Sequence, residues 1–178
     1  MNRAKVTQTC NCAPDLVLAD LFLLRHGIAE AQTNGQSSAG RKLTMVGRRK
    51  TLAVARRLRK LGFRADRLFS SPYQRARETA EIAVLCGLAN RMELEDSLMP
   101  GGDCLPLLVS CRARWLFVGH EPDLSKLAAH LIGASVGCFT LHKAGFAHLH
   151  WTAGESNPYG SAVLMVLLRP RVLLSDSV

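Results

Sequence analysis

The sequence predicts an α/β fold: a three-layer sandwich, with a mostly parallel central sheet and helices on both faces. Three observations predict it. Two continuous apolar runs of strand length, LADLFLL at 18–24 and RWLFVGH at 114–120, suit strands buried on both faces. Stretches with helical spacing and cap signals separate the apolar runs, so strands and helices alternate. The chain has 178 residues and no internal repeat or low-complexity tract, which fits one domain around one sizeable core.

The elements follow in order. Residues 1–17 read as an N-terminal extension, expected to be flexible, ahead of a single domain at 18–178. The first strand, 18–24, runs directly into Arg25-His26-Gly27, and SSAG at 37–40 marks a loop. Thr44 can cap a helix that runs to Leu61 and stops at Gly62, with Thr51, Val54, Leu58 and Leu61 at helical spacing. DRLFSS at 66–71 reads as the next strand. Pro72 then opens a helix through YQRARETAEIAVLC to Gly87. RMELE at 91–95 gives a short strand, PGGD at 100–103 a turn, and 104–111 a short helix. After the strand at 114–120, PDLSKLAAHLIG at 122–133 forms a helix with Asp123 as cap and Gly133 as stop. FTLHKAGFAHLHW and SAVLMVLLRP are late strands joined by a polar loop.

Composition narrows the function classes. The longest apolar run, 161–168, is about eight residues, far below the roughly 20 of a membrane-spanning helix. The first residues carry no apolar signal-peptide core, so the expected address is the cytoplasm. The six cysteines are dispersed, and in that compartment they are expected to be free thiols. Cys10 and Cys12 have no second close Cys/His pair at zinc-site spacing. His142, His148 and His150 fall at even spacing on one late strand, but the sequence offers them no matching carboxylate, and no metal is assigned. The net charge is +9, and it is uneven: 41–77 holds thirteen Lys/Arg against a single acid, Asp66. That segment is either a solvated helix face or a surface for an anionic partner.

Three strands end in residues of one chemical kind: Arg25-His26-Gly27, then Ser70-Ser71 with Arg75 and Arg77 in the following helix, then Gly119-His120-Glu121. Ligands of open α/β sheets bind outside the carboxyl ends of the strands. If these strands are parallel neighbours, two His and one or two Arg meet at one place. Arginine forks bind phosphate oxygens in pairs. A helix N-terminus adds amide donors. A neutral His can attack phosphorus and carry the phosphoryl group. Neighbouring Arg charges favour that neutral form. The pattern points to phosphoryl transfer.

LLRHG (23–27), SSPYQRARETAE (70–81) and VGHEPDLS (118–125) resemble the three signature segments of the histidine phosphatase superfamily, which has the phosphoglycerate mutase-like fold. RKLTMVG (41–47), MPGGD (99–103), KAGFAHLHW and VLMVLLRP resemble further segments of its small members, most similar to the SixA-type phosphohistidine phosphatases, in order over about 18–170. The resemblance implies a hydrolase with His26 as nucleophile, Arg25 and Arg75 on the phosphoryl oxygens and His120 as a hydrogen-bond donor. It implies no metal and no organic cofactor. Glu121 holds the position of the proton donor in the phytase-like branch; its alternative is a loop-anchoring carboxylate. The mutase-like position is not matched, because 96–100 reads Asp-Ser-Leu-Met-Pro. Ser71 caps the helix or touches phosphate through its backbone, and Arg41 lines the pocket rim or forms a structural ion pair.

The expected activity is a metal-independent phosphatase on protein phosphohistidine, as in phosphorelay signalling, with a phosphorylated protein such as a histidine phosphotransfer domain as partner. The alternative substrate is a small sugar or nucleotide phosphomonoester. A non-enzymatic nucleic-acid-binding module would use the basic segment, but few aromatics accompany it and no reading motif is present, so nucleic acid is not the expected partner. The sequence carries no sign of oligomeric state.

Overall fold

The computed structural model describes residues 17–175, apart from 34, 36, 112 and 154–158. The predicted extension therefore lies outside the described residues, save for Val17. Six strands form one sheet: β1 (Val17–Arg25), β2 (Arg67–Ser70), β3 (Glu93–Leu94), β4 (Arg114–Gly119), β5 (Phe146–Ala153) and β6 (Ala162–Leu168), in the order β3-β2-β4-β1-β5-β6. β3, β2, β4 and β1 are mutually parallel; β5 runs antiparallel to both β1 and β6. The helices are α1 (Met45–Lys60), α2 (Gln74–Leu85), α3 (Leu105–Val109), α4 (Asp123–Leu131) and α5 (Pro170–Leu174). The central strands are the ones with continuous apolar runs, as burial on both faces requires.

Alternation along β1 divides its side chains between two cores. Leu21 and Leu23 join Leu124, Leu127, Ala128 and Leu131 of α4 on one face. Phe22 and Leu24 join Val54, Ala55 and Leu58 of α1 and Ala76, Ala80 and Ala83 of α2 on the other. The sheet is thus covered on both sides. Two predicted boundaries move. α2 starts at Gln74, two residues after Pro72, with Tyr73 at its cap position. β5 starts at Phe146, because a turn at His142–Gly145 interrupts the predicted run. α5, unforeseen as a helix, opens on Pro170 directly after β6 and packs against α1.

Two glycines let the exit of β1 lie against the start of α1. The Thr44 hydroxyl accepts from the Gly47 amide at 2.9 Å and caps α1, while the Thr44 amide donates to the Ile28 carbonyl at 2.9 Å. A Cβ on Gly47 would collide with the backbone of Ile28, and one on Gly27 with the Thr51 hydroxyl. Gly47→Ala sets two effects against each other. Alanine gains about 1 kcal/mol of helix propensity, whereas forcing a methyl against backbone costs about 1–3 kcal/mol or more. The clash is with main chain that cannot rotate away, so Gly47→Ala is expected to lower Tm in thermal unfolding. An unchanged or raised Tm would show that β1 and α1 are free to separate.

Candidate active site

The parallel register sets the site. Arg25 of β1 and Gly119 of β4 are Cα partners, so His26 and His120 each leave the sheet one residue later, side by side. Ser70 of β2 pairs with Val118 of β4, which brings Ser71 and the start of α2 to the same edge. Around this edge lies a cavity of about 550 Å³, whose walls include Arg25, His26, Arg41, Arg75, His120 and Glu121. Lys143 and the 3₁₀ turn Ser38–Gly40 reach it as well.

His26 is 8% exposed, Arg75 5% and His120 3%. The His26 Nδ1 sits 2.7 Å from the Gly27 carbonyl. A carbonyl can only accept, so Nδ1 carries the proton and Nε2 keeps its lone pair. That lone pair accepts from Arg75 Nε at 3.2 Å. Burial pulls His26 down to about 4, against the pull of the Gly27 carbonyl and with the charges of Arg75, Arg25 and Lys143 acting the same way as burial. The ring is therefore neutral at neutral pH. The two imidazole rings lie 5.1 Å apart. His120 falls to about 3, first through burial and then through the proximity of His26, Arg75, Arg25 and Arg41. The unfolded chain takes up protons at both histidines below about 6.5, where the fold refuses them. The fold accordingly loses stability as pH drops from there, until the folded values are reached.

Arg75 is held from two more sides. Its Nη1 donates to the Ser38 carbonyl at 2.7 Å, and its guanidinium lies 5.0 Å from the centre of the Tyr73 ring. Arg25 Nη1 donates to the Leu141 carbonyl at 2.7 Å, while its Nε is buried without a partner. Arg41 donates to the Glu30 carbonyl at 3.2 Å and likewise has a buried Nε without a partner. Glu121 accepts from the Ser125 hydroxyl at 2.6 Å through Oε2, and its Oε1 is buried without a partner.

Ser71 departs from the sequence expectation. It is fully buried and not on the cavity wall; its hydroxyl lies 2.8 Å from His120 Nε2 and accepts from the Tyr73 amide at 3.3 Å. Its hydroxyl hydrogen is free to go to His120 Nε2, an arrangement that places the ring proton on Nδ1, which is buried without a protein partner among the described residues. The reason is geometric: Ser71 follows β2 directly, and its amide bonds the Val118 carbonyl at 3.0 Å, turning the side chain toward β4. Arg77 pairs with Glu81 on the surface, as its spacing predicts.

Sequence reasoning misses Lys143, Thr79 and Glu78. Thr79 accepts from the Gly27 amide at 3.1 Å and donates to the Arg75 carbonyl at 2.7 Å, so it ties His26's loop to α2. Its signal is its place one helical turn beyond Arg75. Glu78 accepts from the Leu43 amide at 2.7 Å and pairs with Arg48 at 2.6 Å, anchoring the 41–47 segment.

The histidine triplet also resolves differently. His142 sits in the turn before β5, away from His148 and His150. Asp20 Oδ1 accepts from His148 Nε2 at 2.7 Å and His150 Nδ1 at 2.8 Å, across the β1–β5 pair. A carboxylate on a neighbouring strand is invisible to spacing along one strand. These three could hold a metal ion, since their ligand atoms lie within 4.8 Å of one another. As they stand they form a hydrogen-bonded tie at the end of β1 remote from the cavity. Burial opposes the charge on Asp20, but the two histidine bonds prevail and hold its carboxyl below the ordinary value.

Two histidines and two arginines gathered at the carboxyl edge of an α/β sheet make the layout of a phosphate-handling enzyme. The chain belongs to the histidine phosphatase superfamily: residues 21–99 match its branch 1. It is 32% identical to an uncharacterized protein of Picosynechococcus sp. over 87% of this chain and 99% of that protein. Its fold is similar to that of the protein histidine phosphatase SixA, solved with tungstate, with TM-score 0.70 and 25% identity over 86% of this chain and 99% of that one. It is also similar in fold to a phosphoserine phosphatase from Entamoeba histolytica solved with phosphoserine, with TM-score 0.64 and 17% identity over 88% and 100% of the two chains. Among the described residues no helix is long and apolar enough to cross a membrane.

Proposed function

We propose that this phosphatase acts through a phosphohistidine on His26 and that its substrate is a protein phosphohistidine. One observation carries the reading: His26 Nε2 is unprotonated, lies beside two arginines and faces the cavity at the sheet edge. In the first step Nε2 attacks phosphorus, the bond from phosphorus to the leaving group breaks, and that group departs with its electron pair and takes up a proton. In the second step water attacks phosphorus, the nitrogen–phosphorus bond breaks, and inorganic phosphate leaves with the imidazole neutral again. Arg25 and Arg75 stabilise the charge on the transferring group, and His120 donates from Nδ1 because Ser71 occupies Nε2. Arg41 closes the rim.

Glu121 is the proton donor of this proposal, through Oε1. A phosphoramidate, whose imidazole leaves readily, asks less of that acid than an alkyl ester, whose alkoxide must be protonated as it goes. The likeness to SixA over nearly its whole length points the same way, since this chain has little room for an added lid. The test is competitive hydrolysis of a phosphohistidine protein and a panel of sugar and nucleotide phosphomonoesters. A clearly higher kcat/KM on the phosphohistidine protein is expected; a higher value on any small ester overturns the substrate reading.

Ser71 acts through His120 as a positioning residue. Ser71→Ala frees the His120 tautomer and is expected to lower kcat about tenfold, the scale of one hydrogen bond, with KM little changed. Ser71→Thr, which keeps the hydroxyl, is expected to restore much of the loss. A normal kcat in Ser71→Ala would separate Ser71 from the reaction.

A further inference from the structure

A second cavity, of about 420 Å³, opens next to the first and shares Arg25 and Lys143 with it. Its other walls are Ile28, Lys50, His142, Arg169, Pro170 and Arg171, so it is lined by five permanent cations and one histidine with no acid among them. Some cations elsewhere on the molecule have carboxylate partners: Arg48 pairs with Glu78, Arg67 with Glu93, Arg77 with Glu81 and Arg114 with Asp66. None of the cations lining this cavity is in an ion pair among the described residues. Like charges gathered without a counter-charge repel one another, and an anion bound among them removes that cost.

The backbone that builds this wall is itself constrained. Ala144 holds φ at 59°, a left-handed conformation uncommon for a residue with a side chain. Its amide donates to the Arg25 and His26 carbonyls, both at 3.1 Å, which docks the His142–Gly145 turn on the end of β1. Lys143 is thereby set between the two cavities. α5 supplies the opposite side, because Pro170 starts it as soon as β6 ends and turns Arg169 and Arg171 toward Lys50 of α1.

We infer that this cavity is a second anion subsite, which takes a carboxylate or phosphate carried by the same substrate whose phosphoryl group docks at His26. This rests on the phosphohistidine reading for the source of that anion, which is then an acidic side chain flanking the phosphorylated residue. Arginine forks and lysine ammonium groups facing an open cavity suit a carboxylate presented from a protein surface.

Two phosphohistidine peptides of equal length test it, one flanked by Asp and Glu and one by Asn and Gln, with p-nitrophenyl phosphate as a third substrate. They are hydrolysed by the full chain and by the triple variant Lys50→Ala, Arg169→Ala, Arg171→Ala, with thermal unfolding checked for both. The full chain is expected to favour the acidic peptide about tenfold in kcat/KM, through KM, the effect of one charge-assisted hydrogen bond. The triple variant is expected to lose that preference while p-nitrophenyl phosphate and the neutral peptide are hydrolysed as before. Equal rates on the two peptides, a preference that survives the triple substitution, or a parallel fall on p-nitrophenyl phosphate each overturns the inference. If neither peptide turns over while p-nitrophenyl phosphate does, the phosphohistidine reading fails by itself, and a matched sugar monophosphate and bisphosphate decide the subsite. A bisphosphate preference lost in the triple variant then supports it, and equal rates overturn it.

Discussion

Replacing His26 with alanine is expected to lower kcat by roughly 10⁴-fold or more, the scale on which removal of a covalent nucleophile acts, and to abolish the phosphoenzyme. His120 is the other imidazole in the cavity, but its Nε2 is engaged with the Ser71 hydroxyl at 2.8 Å. Rapidly quenched and denatured enzyme should carry acid-labile, base-stable phosphate, and peptide mapping should place it on His26. Full turnover by His26→Ala, or trapped phosphate on another residue, sinks the nucleophile assignment. The variant should still fold, since the loop is also held by the Gly27 amide on Thr79 and the His26 amide on the Gly119 carbonyl at 3.0 Å.

Arg75→Ala is expected to be the next most damaging change, lowering kcat/KM on the order of 10²–10³-fold, as loss of a pre-aimed donor to developing charge does. Lysine should rescue little, because one ammonium cannot serve both the His26 ring and the Ser38 carbonyl as the planar fork does. A signature in pH separates this role from a merely structural one. In the native protein the acid limb of kcat/KM should have its midpoint at about 4, where His26 is half protonated. Removing Arg75 deletes a repelling charge and admits water, both of which raise the His26 value, so the acid limb should move toward the ordinary 6.5. An acid limb that stays put while the rate falls would assign Arg75 to folding.

Much of this architecture is legible in the chain, for a physical reason. Buried central strands must be apolar throughout, so 18–24 and 114–120 announce themselves, and residues placed just beyond such runs land at the ligand-binding edge. His26, Arg25, Arg75 and His120 are found that way. What escapes is whatever depends on a partner distant in sequence. Ser71 reads as a helix cap or a backbone phosphate contact until β4 is seen beside it, with His120 2.8 Å from its hydroxyl. The Asp20 carboxylate meets two histidines some 130 residues away. Lys143 belongs to a turn that the sequence reads as continuous strand, because the apolar residues around it mask the bend at Ala144. α5 is too short to show periodicity.

The pairing of Arg25 with Gly119 carries a consequence for how this chain can vary in length. Each of the two imidazoles at the sheet edge follows a ladder residue by one position, and a strand turns its side chains over at every step. One residue inserted into or deleted from β1 or β4 would therefore rotate its histidine to the opposite face of the sheet instead of displacing it slightly. Divergence by insertion is confined to connections such as 27–42 and 99–104, which reach the cavity through residues such as Ala29, Ser38 and Pro100 without setting the spacing of the two rings. New substrate ranges can arise there while the chemistry stays locked to the strands.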